Sequence, residues 1–328
     1  MMQYVLTAQR DALRHALVEA GSPRVVKMLA PGVACCDGYR PSAAPIFLRH
    51  VCPVQVQAPL HGSQRDLDVL AAALEPLLVR LTPSVPFSVQ ARIFGGQAFA
   101  YQPFDVNNAL AAVCESAGMQ LDVRAPGQVV SAVLEGERAY LGVSTPQQNL
   151  SAWAGGCRRF QTEPGQVSRA EFKLLEALEV FALQIPQGGT AVDLGAAPGG
   201  WTRVLRARGF HVLAVDPALL DPAVAGDAGV THLRETAQAY FLHPTPCDLM
   251  VNDMRMDCAA SARLMVEGAQ TLVPGGIAVW TLKLPENAAN WPRKVRQAAA
   301  IVQERYDIVG IRQLFHNRCE VTAALRRR

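Results

Sequence analysis

Lysine is scarce in this chain. Of 31 basic side chains only four are lysines (Lys27, Lys173, Lys283 and Lys294), the rest being arginine. A codon bias explains the skew as a whole, so a lysine that persists marks a place where a guanidinium will not serve, because an amine is compact and can give up its proton. Charge of either sign is also thin, at 18% of residues with a net +3. The chain is therefore no polyelectrolyte, and contact with a polyanion has to be local. Residues 1–150 carry 11 basic and 11 acidic side chains, against 20 and 17 in 151–328. The excess lies in the second part, where Arg158, Arg159 and nearby Arg169 form a candidate RNA-contacting cluster, with Arg326, Arg327 and Arg328 at the end. The eight cysteines include no C-x-x-C pair, which excludes a zinc ribbon or thioredoxin-like motif, and no metal site is expected. Most of them read as small buried apolar residues. No run approaches the roughly 18 apolar residues of a membrane span. The opening "MMQYVLTAQRDALRHALVEAG" has acids and arginines where a signal peptide has an apolar block, so a cytoplasmic protein with no membrane partner is expected.

At 328 residues, half of them hydrophobic, the chain should fold as two or three domains. "QYVLTA" reads as a strand, "QRDALRHALVEAG" as a helix closed by Gly21 and "VVKMLA" as a strand, an α+β ferredoxin-like domain assigned to 1–80. "RDLDVLAAALEPLLVRL" is a helix with Leu67, Val69, Leu70 and Leu74 as its apolar stripe, and Pro83 and Pro86 mark a boundary near residue 80. Residues 81–150 read as a strand, a helix opened by Asp105 and closed by Gly118, and a hairpin through Glu135-Gly136. Residues 151–328 alternate strand and helix through seven strands, the last two without a helix between them. An open doubly wound sheet ending in an antiparallel hairpin is the Rossmann-like fold of S-adenosyl-L-methionine methyltransferases, whereas nicotinamide dehydrogenases usually keep the sheet parallel.

Chemistry concentrates in "GGTAVDLGAAPGGWTRVL", 188–205. Gly195, Gly199 and Gly200 let backbone approach a ligand at the carboxyl end of the first strand, and Asp216 ends the second strand where an acid receives ribose hydroxyls. Those features alone would also suit a dinucleotide. Trp201 is expected to pack its helix onto the sheet. In "VSRAEFKLLEAL", Ser168 as N-cap and Glu171 three residues on form a capping box that sets Lys173 in the second turn. Asp253, Lys283 and Glu320 lie at strand ends, where ligands gather in such sheets, and two of the four lysines fall in this set.

"SRAEFKL", "DLGAAPGGWT", "NDM" and "LKLP" follow in order across the C-terminal domain, which resembles the FtsJ-like RNA ribose 2′-O-methyltransferases. "VQARIF", "DVRAPGQVV" and "RAYLGVS", within about 85–146, resemble a THUMP domain, an RNA-binding module of RNA-modifying enzymes. The whole arrangement is similar to bacterial THUMP-containing enzymes that methylate a cytidine ribose of 23S rRNA, with tRNA as the alternative substrate. The resemblance implies S-adenosyl-L-methionine as cofactor, RNA as partner and a catalytic tetrad of Lys173, Asp253, Lys283 and Glu320. It also implies a cofactor site formed by Ser168, Gly195, Ala197, Pro198, Gly199, Gly200, Trp201, Asp216, Thr236 and Asp253. One departure stands out: where the family has an acid for the adenine, this chain has Thr236, and Asp227 comes too early to replace it.

The tetrad makes chemical sense by itself. A ribose hydroxyl is a poor nucleophile at neutral pH, so it must be aligned with the methyl donor and relieved of a proton. Lys283 is the candidate for the proton, with its pKa expected to be lowered by neighbouring Lys173 and by burial, while Asp253 holds it and Glu320 orients the lysines or the hydroxyl. Two other readings compete: a dehydrogenase-like binder, opposed by P-G-G-W and the terminal strand pair, and an inactive RNA-binding relative, opposed by the intact tetrad.

Overall fold

The computed structural model describes residues 2–40, 42–95 and 98–328. The chain divides into two compact units, one ending at Arg158 and the other starting at Arg159. No helix of the described residues is long and apolar enough to cross a membrane.

The first unit contains two four-stranded sheets. In the first, β1 (Gln3–Thr7), β2 (Arg24–Ala30), β3 (Val33–Asp37) and β4 (His50–Val54) pair antiparallel in the order β2-β3-β1-β4, with helix α1 (Leu13–Glu19) between β1 and β2. This is the strand nesting of a ferredoxin-like module, although no helix joins β3 to β4 among the described residues. The second sheet runs β5-β8-β7-β6, from β5 (Val56–Pro59), β6 (Phe87–Phe94), β7 (Gln128–Glu135) and β8 (Arg138–Ser144). Helices α2 (Asp66–Leu74) and α3 (Pro103–Ser116) share its core, where Leu70, Leu74, Leu110, Val130 and Leu141 are fully buried.

Two sequence expectations need correcting here. The passage from one sheet to the next falls at Gln55, between β4 and β5, and not near residue 80; the apolar stripe of α2 is buried on the second sheet, and sequence proximity to the first module does not decide which core it joins. Helix α3 opens two residues before Asp105, at Pro103. Gln102 and Asp105 form its reciprocal capping box, with Asp105 as the third helical residue and not the cap.

The second unit carries the seven-stranded sheet β11-β10-β9-β12-β13-β15-β14. Its strands are β9 (Thr190–Leu194), β10 (His211–Val215), β11 (Val230–Leu233), β12 (Cys247–Asn252), β13 (Leu272–Lys283), β14 (Tyr306–Arg312) and β15 (Glu320–Arg327). Pairing is parallel from β11 to β13, and β15 runs antiparallel to both β13 and β14. The helices are α4 (Glu171–Val180), α5 (Gly200–Arg206), α6 (Pro222–Ala225), α7 (Ala237–Tyr240), α8 (Cys258–Gly268) and α9 (Trp291–Val302). The central strands are apolar runs buried on both faces: Ala191, Val192 and Leu194 in β9, Leu249, Met250 and Val251 in β12. The chain winds outward from β9 through β10 and β11, then crosses to β12 on the other side. That reversal opens a crevice above the carboxyl ends of β9 and β12.

Candidate active site

The loop after β9 is shaped by its neighbours. Gly195 has φ +73°, and a Cβ there would sit 2.2 Å from Met254 Cγ, so only glycine lets the chain turn this close to the end of β12. A Cβ on Gly200, the first residue of α5, would lie 2.3 Å from Ser168 Oγ, so this glycine brings the loop against the segment entering α4. Asp216, just past β10, accepts Ala197 N–H on Oδ2 at 3.0 Å and Ala218 N–H on Oδ1 at 2.8 Å. Each oxygen keeps acceptor capacity for a further donor.

Helix α4 is tied to α5 at its start. Trp201 is buried, and its indole N–H donates to Ala170 O at 2.7 Å, so its side chain is a strut and only its backbone belongs to the loop. Glu171 Oε2 receives Arg203 Nη1 at 2.6 Å, while Oε1 receives the N–H groups of Val167 at 2.7 Å and Ser168 at 3.3 Å. The expected capping box is thus only half formed. Ser168 Oγ accepts from Ala170 N and not from Glu171 N, the helix begins at Glu171, and Lys173 stands in the first turn and not the second.

The four tetrad residues come together. Antiparallel pairing sets Lys283 directly opposite Glu320, the last residue of β13 facing the first of β15. Lys283 Nζ donates to Asp253 Oδ1, to Glu320 Oε2 at 2.6 Å and to Thr281 Oγ1 at 3.1 Å. Lys173 Nζ reaches the same two carboxylates, Glu320 Oε1 at 2.7 Å and Asp253 Oδ2 at 3.1 Å. The result is a square of alternating charge, lined by side chains less than one-fifth exposed. Burial alone would push the Lys173 pKa down, but Asp253 and Glu320 outweigh it and hold it above the ordinary lysine value. Burial would likewise raise Asp253, and the two lysines overcome it and lower its pKa. The expected side-by-side placement of two cations is therefore replaced by carboxylates standing between them.

Other residues singled out in the sequence fall differently. Thr236 is exposed and caps α7, its hydroxyl accepting Ala239 N–H at 3.2 Å, so it is a helix cap. Asp227 pairs with Arg206 and accepts Gly229 N–H at 2.7 Å, at the entrance to β11. The Arg158 guanidinium lies 4.2 Å over the Trp153 ring in the first unit, whereas Arg159 and Arg169 are exposed in the second.

Two contributors went unmarked. Thr281 is fully buried and donates to Asp253 Oδ1 while accepting from Lys283; the period of two along a strand puts it on the face of Lys283, a signal present in "TLK". Asp193 is buried within β9, where Thr202 Oγ1 donates to it at 2.7 Å. Burial pushes its pKa up to about 7, further raised by the charges of Asp253 and Asp216 and opposed by the Thr202 bond.

Comparison with known proteins adds the following. The family model described as "FtsJ-like methyltransferase" matches residues 166–307. Three relatives carry the name ribosomal RNA large subunit methyltransferase M. That of Methylococcus capsulatus is 38% identical over 57% of this chain and 54% of its own length, and that of Laribacter hongkongensis 36% over 58% and 56%. That of Alkalilimnicola ehrlichii is 31% identical over 84% of this chain and 77% of its own. The chain thus spans little more than half the length of the first two.

The raised pKa of Asp193 makes a stability signature. A carboxyl whose folded-state pKa exceeds its unfolded value binds its proton more tightly when folded, so its contribution falls as pH rises from the ordinary 3.8 to about 7 and is level above that. Asp193→Asn should therefore flatten the decline of thermal midpoint between pH 5 and pH 7.5. An unchanged slope in melts across that range would show that Asp193 is ionised throughout.

Proposed function

The chain belongs to the FtsJ-like methyltransferase family, and from that premise we propose that it transfers a methyl group from S-adenosyl-L-methionine to a ribose 2′-hydroxyl of RNA. The observation that carries the reading is the charge square of Lys173, Asp253, Lys283 and Glu320, at the end of the sheet that also bears the glycine loop. Large-subunit ribosomal RNA is the proposed substrate, a cytidine its proposed target, and the cytoplasm the compartment that goes with it. The relatives' shared name supports the choice of ribosomal over transfer RNA.

The loop fits such a cofactor. Gly195, Gly199 and Gly200 let the loop pack tightly against Met254, Val224 and Ser168, the backbone of Gly195, Ala197, Pro198, Gly199 and Gly200 is assigned to the cofactor, and Asp216 keeps acceptor capacity for ribose hydroxyls. When bound, the cofactor supplies a methyl group on a positively charged sulfur. In the chain, Lys283 has its three N–H donors committed to Asp253, Glu320 and Thr281. Thr281 is the uncharged and most distant of these partners, so it is the one the incoming ribose hydroxyl displaces. To act as a base Lys283 first gives one ammonium proton to solvent; the amine then takes the hydroxyl proton as the ribose oxygen receives the methyl group released from sulfur, and Asp253 and Glu320 stabilise the ammonium that is restored. Lys173 neutralises the outer oxygens of the same carboxylates and keeps both turned toward Lys283. We assign selection of RNA to residues 1–150, with 81–150 as a THUMP-like module, and local phosphate contact to Arg158, Arg159 and Arg169.

Two measurements test this. Asp216→Ala should weaken cofactor binding by about 1.5–3 kcal/mol, the loss of hydrogen bonds to a charged group. Unchanged affinity by calorimetry would move the cofactor site elsewhere. Lys283→Met should retain cofactor binding and lower methyl transfer to transcribed large-subunit RNA by about 10²-fold or more. Lys283→Arg should be nearly as inactive, because a guanidinium does not lose its proton. Recovery of most of the rate by arginine would reduce Lys283 to a source of positive charge.

A further inference from the structure

Glu176 lies one helical turn beyond Lys173 on α4, and its side chain is 3% exposed. No lysine or arginine pairs with it among the described residues. Instead it grips the turn that joins β14 to β15: Oε1 receives Phe315 N–H at 2.8 Å, and Oε2 receives His316 N–H at 2.9 Å and His316 Nδ1 at 2.8 Å. The imidazole packs against Phe160, at 5.6 Å, and Phe172, at 5.3 Å between centroids, two rings that stack on each other at 5.8 Å. Within the turn, Asn317 Oδ1 accepts Leu314 N–H at 2.8 Å and the Thr322 hydroxyl at 3.1 Å, so the segment behaves as one braced piece running into β15. The first residue of β15 is Glu320, whose carboxylate meets Lys173 from the same helix that carries Glu176.

We infer that Glu176 is a positioning residue for the charge square: by clamping the Phe315–His316 turn to α4 it sets the separation between Lys173 and Glu320. The inference rests on the catalytic reading of the square given above. Three donors converge on one buried carboxylate, and charge-assisted bonds of this kind are both stronger and more directional than neutral ones. A carboxamide of equal size has one acceptor oxygen, so its NH2 must face either the Phe315 N–H or the His316 pair, donor against donor. The turn should then shift, and Glu320 with it. Misplacement by about 1 Å of a group that aligns reactants costs up to about 10²-fold in rate.

The test uses the full chain with transcribed large-subunit RNA. Glu176→Gln should lower kcat about 10- to 100-fold, with KM for RNA and for S-adenosyl-L-methionine within about twofold of the parent. His316→Ala keeps both backbone bonds and should lose only about threefold; if Glu176→Gln does not fold, Glu176→Asp, whose shorter carboxylate reaches the turn less well, takes its place with the same expected losses and the same overturning results. Amide hydrogen exchange should quicken in Glu176→Gln at Phe315 and His316 and also at Glu320, Val321 and Thr322. Unchanged kcat in a folded Glu176→Gln protein, a loss confined to KM for RNA, or faster exchange confined to Phe315 and His316 would each overturn the assignment. If the parent chain methylated no RNA, the catalytic reading would fail by itself, and exchange at residues 320–322 would still decide whether Glu176 holds Glu320 in place.

Discussion

Everything at the site depends on the antiparallel pairing of β13 with β15, which places Lys283 across from Glu320. In a sheet otherwise parallel from β11 to β13, a further parallel strand would present its own carboxyl end here. The reversed strand presents its start instead, and so brings in an acid from a distant part of the chain. Burial by itself disfavours the charged forms of Lys173 and Asp253. Alternation around the square makes the burial tolerable, because each charge faces two of opposite sign.

A second dependence links the glycine loop to this square. Helix α5 starts in the loop, and its Trp201 and Arg203 hold Ala170 and Glu171 at the start of α4. Lys173 follows in that same turn. Elements that carry the glycine loop and elements that build the charge square therefore share supports, joined by two hydrogen bonds. Asp193 sits beneath both, its high pKa a consequence of burial in β9 with Asp253 and Asp216 nearby.

Strand ends were the most legible feature. Asp216, Asp253 and Lys283 stand where β-branched or apolar runs stop, at the carboxyl ends where ligands collect, whereas Glu320 opens the last strand and joins them because that strand runs antiparallel. Lys173 was legible from its surroundings, although the Ser168 hydroxyl turns to Ala170 N–H and the helix starts only at Glu171, which puts Lys173 in the first turn. Less was visible where a residue's partner is remote. Thr236, where the resemblance led to the expectation of an adenine-binding acid, caps α7. The sheet that α2 joins cannot be inferred from its own stripe, since an apolar face does not specify which core it will enter.

Local sequence by itself determined the alternation of strand and helix in 151–328, the loop whose glycines admit a close backbone approach, and the set of ionisable residues at strand ends. These follow from periodicity, steric freedom and residue chemistry over a few neighbours. Only the tertiary structure decided how the charges pair, that Thr281 and Asp193 belong beside them, and that Glu176 reaches across to Phe315 and His316. Those are contacts over long sequence separations, up to one hundred and forty residues for Glu176 and His316. Their geometry is set by strand order and register, which hydrogen bonding and core packing across the whole unit select together.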